Sequence, residues 1–154
     1  WQAFSATIDY GYDFARMRVD FAPGRSLAKD GAQVQVAADR GWQSSGVKLE
    51  AGKSYRVRAQ GRFQVAREPR VWWSEPGGVT IRYYRGQPLG ILLGVVYSGD
   101  AQANATNDWA APQPLGLGGV IKPDRSGTLY LRVNDAPDSL ADNAGSVDVE
   151  ITAP

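Results

Sequence analysis

The chain has 154 residues, 43% of them hydrophobic and 21% charged, which suits one globular domain large enough to fold on its own core. Lys and Arg number 17 against 16 Asp and Glu, so the field lacks the positive bias of nucleic-acid binders. The sequence holds no Cys and no His, which excludes disulfides, thiolate chemistry, Ser-His-Asp and Cys-His catalysis, and most zinc and iron sites.

Taken from the start, residues 1–32 are irregular and predict a lead-in or an extra edge. A strand is expected over 17–21, and turns at Pro23-Gly24 and Lys29-Asp30-Gly31. Trp1 is not a Met and no signal-like segment follows it, which suggests a processed product or a domain of a longer chain. Residues 33–154 predict the core of a single domain, with no repeat or linker that would divide it.

Period-two alternation dominates that core. Over 54–65, Tyr55, Val57 and Ala59 oppose Arg56, Arg58 and Gln60, after a turn at Glu50-Ala51-Gly52-Lys53. Arg56, Arg58, Arg62, Arg67 and Arg70 form a basic stripe, read here as the wet face of strands. The paired aromatics Trp72, Trp73 and Tyr83, Tyr84 are expected to place one member inward and one outward. Residues 90–97 are apolar on both sides and predict a central strand, well short of the ~20 residues needed to cross a bilayer. Residues 101–114 turn to Asn, Ala, Pro and Asp, a long surface connection anchored by Trp109. Leu129, Leu131 and Val133 alternate over 128–133, as do Val147, Val149 and Ile151 over 146–151, and these two segments are expected to be neighbours. The fold predicted is all-β, an antiparallel β-sandwich of jelly-roll type.

Between those last segments lies the most informative stretch. Residues 134–143 gather five Asp and Asn side chains around Ser139, the hard oxygen donors that calcium prefers. The loop is not an EF-hand, since Pro137 takes the third position after Asp135 and no Glu stands twelfth. A surface turn built of turn-forming residues is the plainer reading of the same composition. Gly52-Lys53-Ser54 is not a phosphate loop, because Gly46 is misspaced and no helix pattern follows.

Asn134-Asp135-Ala136-Pro137, a short spacer, then Asp142-Asn143-Ala144-Gly145-Ser146 before a final strand resembles the calcium and sugar loop of the galactophilic lectin family of Pseudomonas aeruginosa. There the pattern runs Asn-Asp-Val-Pro, then Asn-Asn-Ser-Gly-Ser. The strand, turn and strand of residues 45–57 are also similar, so the resemblance covers roughly residues 33–154. It implies a galactose-binding-domain-like sandwich and calcium as cofactor. Asp135, Asp142 and Asn143 would hold the ion by their side chains, and Ser139 and Val65 by backbone carbonyls. Asp135, Asp142 and Asn143 would also meet the sugar, with Glu75 and Pro76 standing where the family has His-Pro. Asp142 replaces the family's Asn, and the missing His puts galactose itself in question.

The function expected is therefore a calcium-dependent carbohydrate-binding module, not an enzyme, with an extracellular or periplasmic location. Its partners are expected to be a carbohydrate and other domains of a longer chain, with no nucleic acid and no membrane insertion. The alternative is a non-catalytic structural or interaction domain of a larger exported protein, with calcium structural or absent. A glycosidase needs two suitably separated carboxylates, and no spacing here singles out such a pair.

Overall fold

A computed structural model describes residues 13–99 and 108–154. After a single helical turn, α1 (Phe14–Met17), twelve strands follow: β1 (Arg25–Ser26), β2 (Ala32–Ala37), β3 (Gln43–Leu49), β4 (Tyr55–Gln60), β5 (Phe63–Ala66), β6 (Trp72–Ser74), β7 (Gly77–Tyr84), β8 (Gln87–Tyr97), β9 (Gln113–Pro114), β10 (Gly118–Ile121), β11 (Gly127–Val133) and β12 (Ser146–Thr152). One sheet runs β1-β3-β11-β8-β7, with β9 also on β8, and a second runs β10-β4-β12-β2. A β5-β6 hairpin stands apart as a third, two-stranded sheet. Every pairing is antiparallel except β1 with β3, so the predicted all-β sandwich is what forms.

The core is the apolar set that alternation supplies from both large sheets. Val47, Leu49, Leu92, Leu129, Leu131 and Val133 come from one; Val36, Val57, Val147, Val149 and Ile151 come from the other. Strands β4 and β12 keep the exposed-buried rhythm expected of a sheet with one wet face, and Arg56 and Arg58 lie on that face.

The six-stranded sheet is different, because β11 is buried at every residue. Its outer face is covered by an aromatic cluster. Trp109, from a 3-10 turn at Asp108–Ala110, packs with ring centroids 5.3 Å from both Tyr97 and Tyr130 and 5.4 Å from Trp42, and Phe21 lies 6.0 Å from Tyr130. Trp109 is thus the expected anchor of its connection; residues 100–107 lie outside the described residues, as do 1–12 of the lead-in.

Three sequence expectations are corrected. β11 and β12 are not neighbours: each feeds the core from a different sheet, and β12 pairs with β2 and β4 instead. The single strand over 54–65 is broken into β4 and β5 at Gly61, whose φ of 124° turns the chain out of the sheet. No strand forms over 17–21, where α1 ends and irregular chain follows, and Pro23-Gly24 precedes β1 without a turn. Gly24 donates its N–H to Thr128 Oγ1 (2.8 Å), tying this segment to β11. The turn at Lys29 and Asp30 and the central strand β8 form as expected.

Candidate functional site

The 134–143 loop leaves the end of β11 and crosses to the start of β12, so it joins the two large sheets. Its first residue is a clamp. Asn134 is 3% exposed; its N–H donates to Ile91 O (2.9 Å), its carbonyl accepts from Gly90 N (2.8 Å), and its amide donates to Tyr84 O, Gln87 O and Pro88 O at 3.0–3.1 Å. That amide holds the β7-β8 hairpin against the loop. Farther on, Pro137–Asp142 forms a 3-10 segment with Pro at its start and Leu140 fully buried as its apolar anchor.

The loop closes on itself through its polar side chains. Asp135, 3% exposed, accepts at Oδ1 from Ala136 N (2.7 Å) and at Oδ2 from the Asn143 amide (2.9 Å). That amide also donates to Ala38 O (3.0 Å), at the end of β2 in the opposite sheet. Both N–H groups of Asn143 are spent this way, and its Oδ1 is buried with no hydrogen-bond donor to it among the described residues. Oδ1 of Asp142 is in the same position, while its Oδ2 accepts only a long bond from Arg67 N (3.3 Å). Two such oxygens on adjacent residues, beside a buried carboxylate, are acceptors open to a cation or to an ordered water, although no cluster of three or more acidic side chains forms among the described residues.

Electrostatics point the same way. Burial raises the Asp135 pKa above the ordinary carboxylate value; the bonds from Asn143 and Ala136 and the charge of Arg132 oppose this, and the negative charge of Asp142 adds to it. No Lys or Arg side-chain nitrogen among the described residues stands within 4.0 Å of either carboxylate. The donors also fit a hard ion by type: two carboxylates, an amide oxygen and nearby carbonyls, without nitrogen or sulfur.

Of the residues predicted for the metal, Asp135 and Asn143 are in direct contact, and Asp142 stands beside Asn143 in the chain with its charge felt by Asp135. Val65 lies next to them on β5, at the point where the β5-β6 register shifts, while its neighbour Gln64 exchanges backbone bonds with Ala144 at 2.8 and 3.1 Å. Ser139 sits in the 3-10 segment, its N–H donating to Ala136 O (3.0 Å) and its hydroxyl to Asp138 Oδ1 (3.2 Å). Glu75 and Pro76, predicted to face the sugar, form the β6-β7 connection. Glu75 is exposed, and Pro76 is buried with its carbonyl accepting from Leu92 N (2.8 Å). No hydrogen bond among the described residues joins either to the loop.

Residues that sequence reasoning missed complete the support. The Gln64 amide donates to the Asp142 carbonyl. Arg132, 8% exposed, donates from Nη2 to Asp135 O (2.8 Å). Alternation marks Arg132 as facing away from the core, and only the distant Trp42, packed with its ring 5.7 Å from the guanidinium, shows that this face is covered too. Of the aromatic pairs only Trp72 and Trp73 divide as expected; Tyr83 is exposed and Tyr84 half-buried, and neither joins the core. Trp72 packs on the core, whereas Trp73 is half exposed on β6 opposite Gln64, with the Arg62 guanidinium 5.2 Å from its ring.

Neither protein-family comparison nor a search of curated proteins finds a match to this sequence. Among solved structures the fold is similar to the N-terminal domain of EclA, described as a PllA-like lectin. The TM-score is 0.58 and the identity 23%, covering 80% of this chain and 96% of that one. That likeness agrees with the all-β sandwich described above as the fold.

Proposed function

We propose that this chain is a calcium-dependent carbohydrate-binding domain without catalytic activity. The observation that carries the reading is the pair of buried, unpartnered oxygens, Asp142 Oδ1 and Asn143 Oδ1, beside the buried Asp135. The structural neighbour's description as a lectin supports the sugar half of the proposal.

In this reading Asp135, Asp142 and Asn143 hold the ion by side-chain oxygens, and Ser139 and Val65 contribute backbone carbonyls. A bound calcium supplies positive charge and open coordination positions that vicinal hydroxyls fill. The chain's own part is positional. Arg132 and Ala136 fix the turn at Asp135, Gln64 fixes Asp142, and Leu140 seals the segment between them. Asp135 and Asp142 then accept hydrogen bonds from the same hydroxyls, while Trp73 on the adjoining hairpin offers a ring face. With Glu75 and Pro76 in place of His-Pro, the outer end of the sugar meets a carboxylate, and preference is expected to move away from galactose. A module of this kind works where calcium is plentiful, in an extracellular or periplasmic setting, attached to other domains.

The second reading is a structural module whose ion pins the loop without taking a sugar. It is favoured by Asp135, both of whose oxygens are already engaged by the chain itself. A glycan array run in calcium and again in EDTA separates the two. Binding seen only with calcium supports the lectin reading. A blank array from a protein whose melting point still rises with calcium supports the structural one. A melting point indifferent to calcium defeats the lectin reading and leaves a structural module without an ion.

A further inference from the structure

On the outer face of the six-stranded sheet, away from the loop's unpartnered oxygens, lies a cavity of about 280 Å³ walled by Trp42, Tyr84, Arg85, Trp109 and Arg132. Its chemistry is unlike that of the loop. Arg132 is 8% exposed, yet its guanidinium donates only to the neutral carbonyls Val133 O (3.2 Å) and Asp135 O (2.8 Å). No carboxylate among the described residues pairs with it. Burial pushes the Arg132 pKa down from its usual value, and the charge of the Asp135 carboxylate, which is not in direct contact with the guanidinium, opposes this only in part.

A second cation stands at the rim. Arg85 occupies the first turn position of the β7-β8 hairpin with φ of 50°, a conformation that Gly, Asn or Asp adopt far more readily. Its guanidinium lies 5.5 Å from the Tyr84 ring centre, and both side chains border the cavity. A strained arginine where a small residue would serve the turn better indicates that the side chain itself is wanted there. The remaining walls are aromatic, Trp42 meeting Trp109 at 65° and 5.4 Å.

We propose that this cavity is a second, calcium-independent binding site that takes a carboxylate carried on a single six-membered ring. The guanidinium edge left free on Arg132 matches one flat carboxylate bound through two parallel hydrogen bonds. The indole walls suit the apolar face of a ring. The volume, just under the roughly 300–1,000 Å³ of typical ligand pockets, holds one ring and not an oligosaccharide. The site shares Arg132 and Asn134 with the support of the loop, but none of the residues proposed to hold calcium, Val65, Asp135, Ser139, Asp142 and Asn143, lines it.

The test uses indole N–H NMR spectra of the whole chain in EDTA, with the Trp42 and Trp109 signals assigned from Trp42→Phe and Trp109→Phe. Glucuronate, benzoate and neutral glucose are titrated in turn. Both carboxylates are expected to shift the two signals and glucose to leave them in place; the tighter of the two tells a sugar acid from a planar aromatic one. Arg85→Asn, which suits the turn and removes the rim charge, should weaken binding about threefold, and Arg132→Gln about tenfold. Should Arg132→Gln fail to fold because Asp135 O loses its donor, Arg85→Asn alone decides the outcome. Unmoved indole signals, equal shifts with glucose, or an Arg85→Asn protein that binds as tightly as the parent would overturn the proposal. Because calcium is absent throughout, failure here leaves the loop reading untouched.

Discussion

Replacing Asp142 by Ala should reverse the order of stability between calcium and EDTA. In the ion-free protein Asp142 contributes little: a 3.3 Å bond from Arg67 N, set against a buried oxygen with no partner and a negative charge that disfavours ionisation of Asp135. Removing an unsatisfied buried acceptor recovers about 1–3 kcal/mol, and losing the long bond costs about 1 kcal/mol or less, so in EDTA the variant should match or exceed the parent. With calcium at a hundred times its dissociation constant the parent gains about 2.7 kcal/mol. For a domain of this size each kcal/mol is about 2–4 °C, so the parent should rise by roughly 5–11 °C and the variant by a small part of that. Differential scanning calorimetry in both buffers reads the two midpoints directly. A variant less stable than the parent by the same margin in both buffers would refute the reasoning, since Asp142 would then be structural and not a ligand.

Asn134→Ala withdraws the donor shared by Tyr84 O, Gln87 O and Pro88 O. It should cost about 3 kcal/mol in urea unfolding, and a midpoint unchanged from the parent would show that the clamp is dispensable. Gly90→Ala should cost about 2 kcal/mol or more, because the new Cβ would stand 2.3 Å from Ser74 Oγ at a φ of +84°. Ser74→Gly in the same chain should return part of that loss; no recovery would place the whole penalty in the backbone. With Asp135 raised in pKa by burial, the folded chain holds its proton to higher pH than the unfolded one. Ion-free stability should therefore fall as pH rises through the carboxylate range. Asp135→Asn should flatten that part of the slope in EDTA melts, and a variant with the parent's slope would contradict the assignment.

How much of this was legible in the sequence depended on how local the cause was. The rhythm of β4 and β12 is visible because one face of their sheet stays wet, and the Asp and Asn composition of residues 134–143 marks the loop before any fold is known. Alternation says which side of a strand faces the core but not which sheet the strand joins, so β11 and β12 look like partners when they sit across the core from each other. The break at Gly61 hides because the apolar pattern continues through Phe63 and Val65, both buried. The burial of Arg132 depends on Trp42 and Trp109, which reach it from elsewhere in the chain. Gln64 reads as an ordinary strand residue until its amide is seen at the Asp142 carbonyl.

Strand β11 lies inside the six-stranded sheet, dry on both faces, and runs straight into Asn134 and Asp135. Amide hydrogens there should exchange with solvent only when the whole domain opens, whereas the Asp142 side chain, beside an Asn143 tied to Asp135 and Ala38, is held by a single 3.3 Å bond from Arg67 N. The loop thus has a preset half and a compliant half. An arriving ion finds Asp135 already in place and has only the Asp142 side left to order, so its capture should slow deuterium uptake in residues 142–145 and 64–67 while leaving β11 as it was.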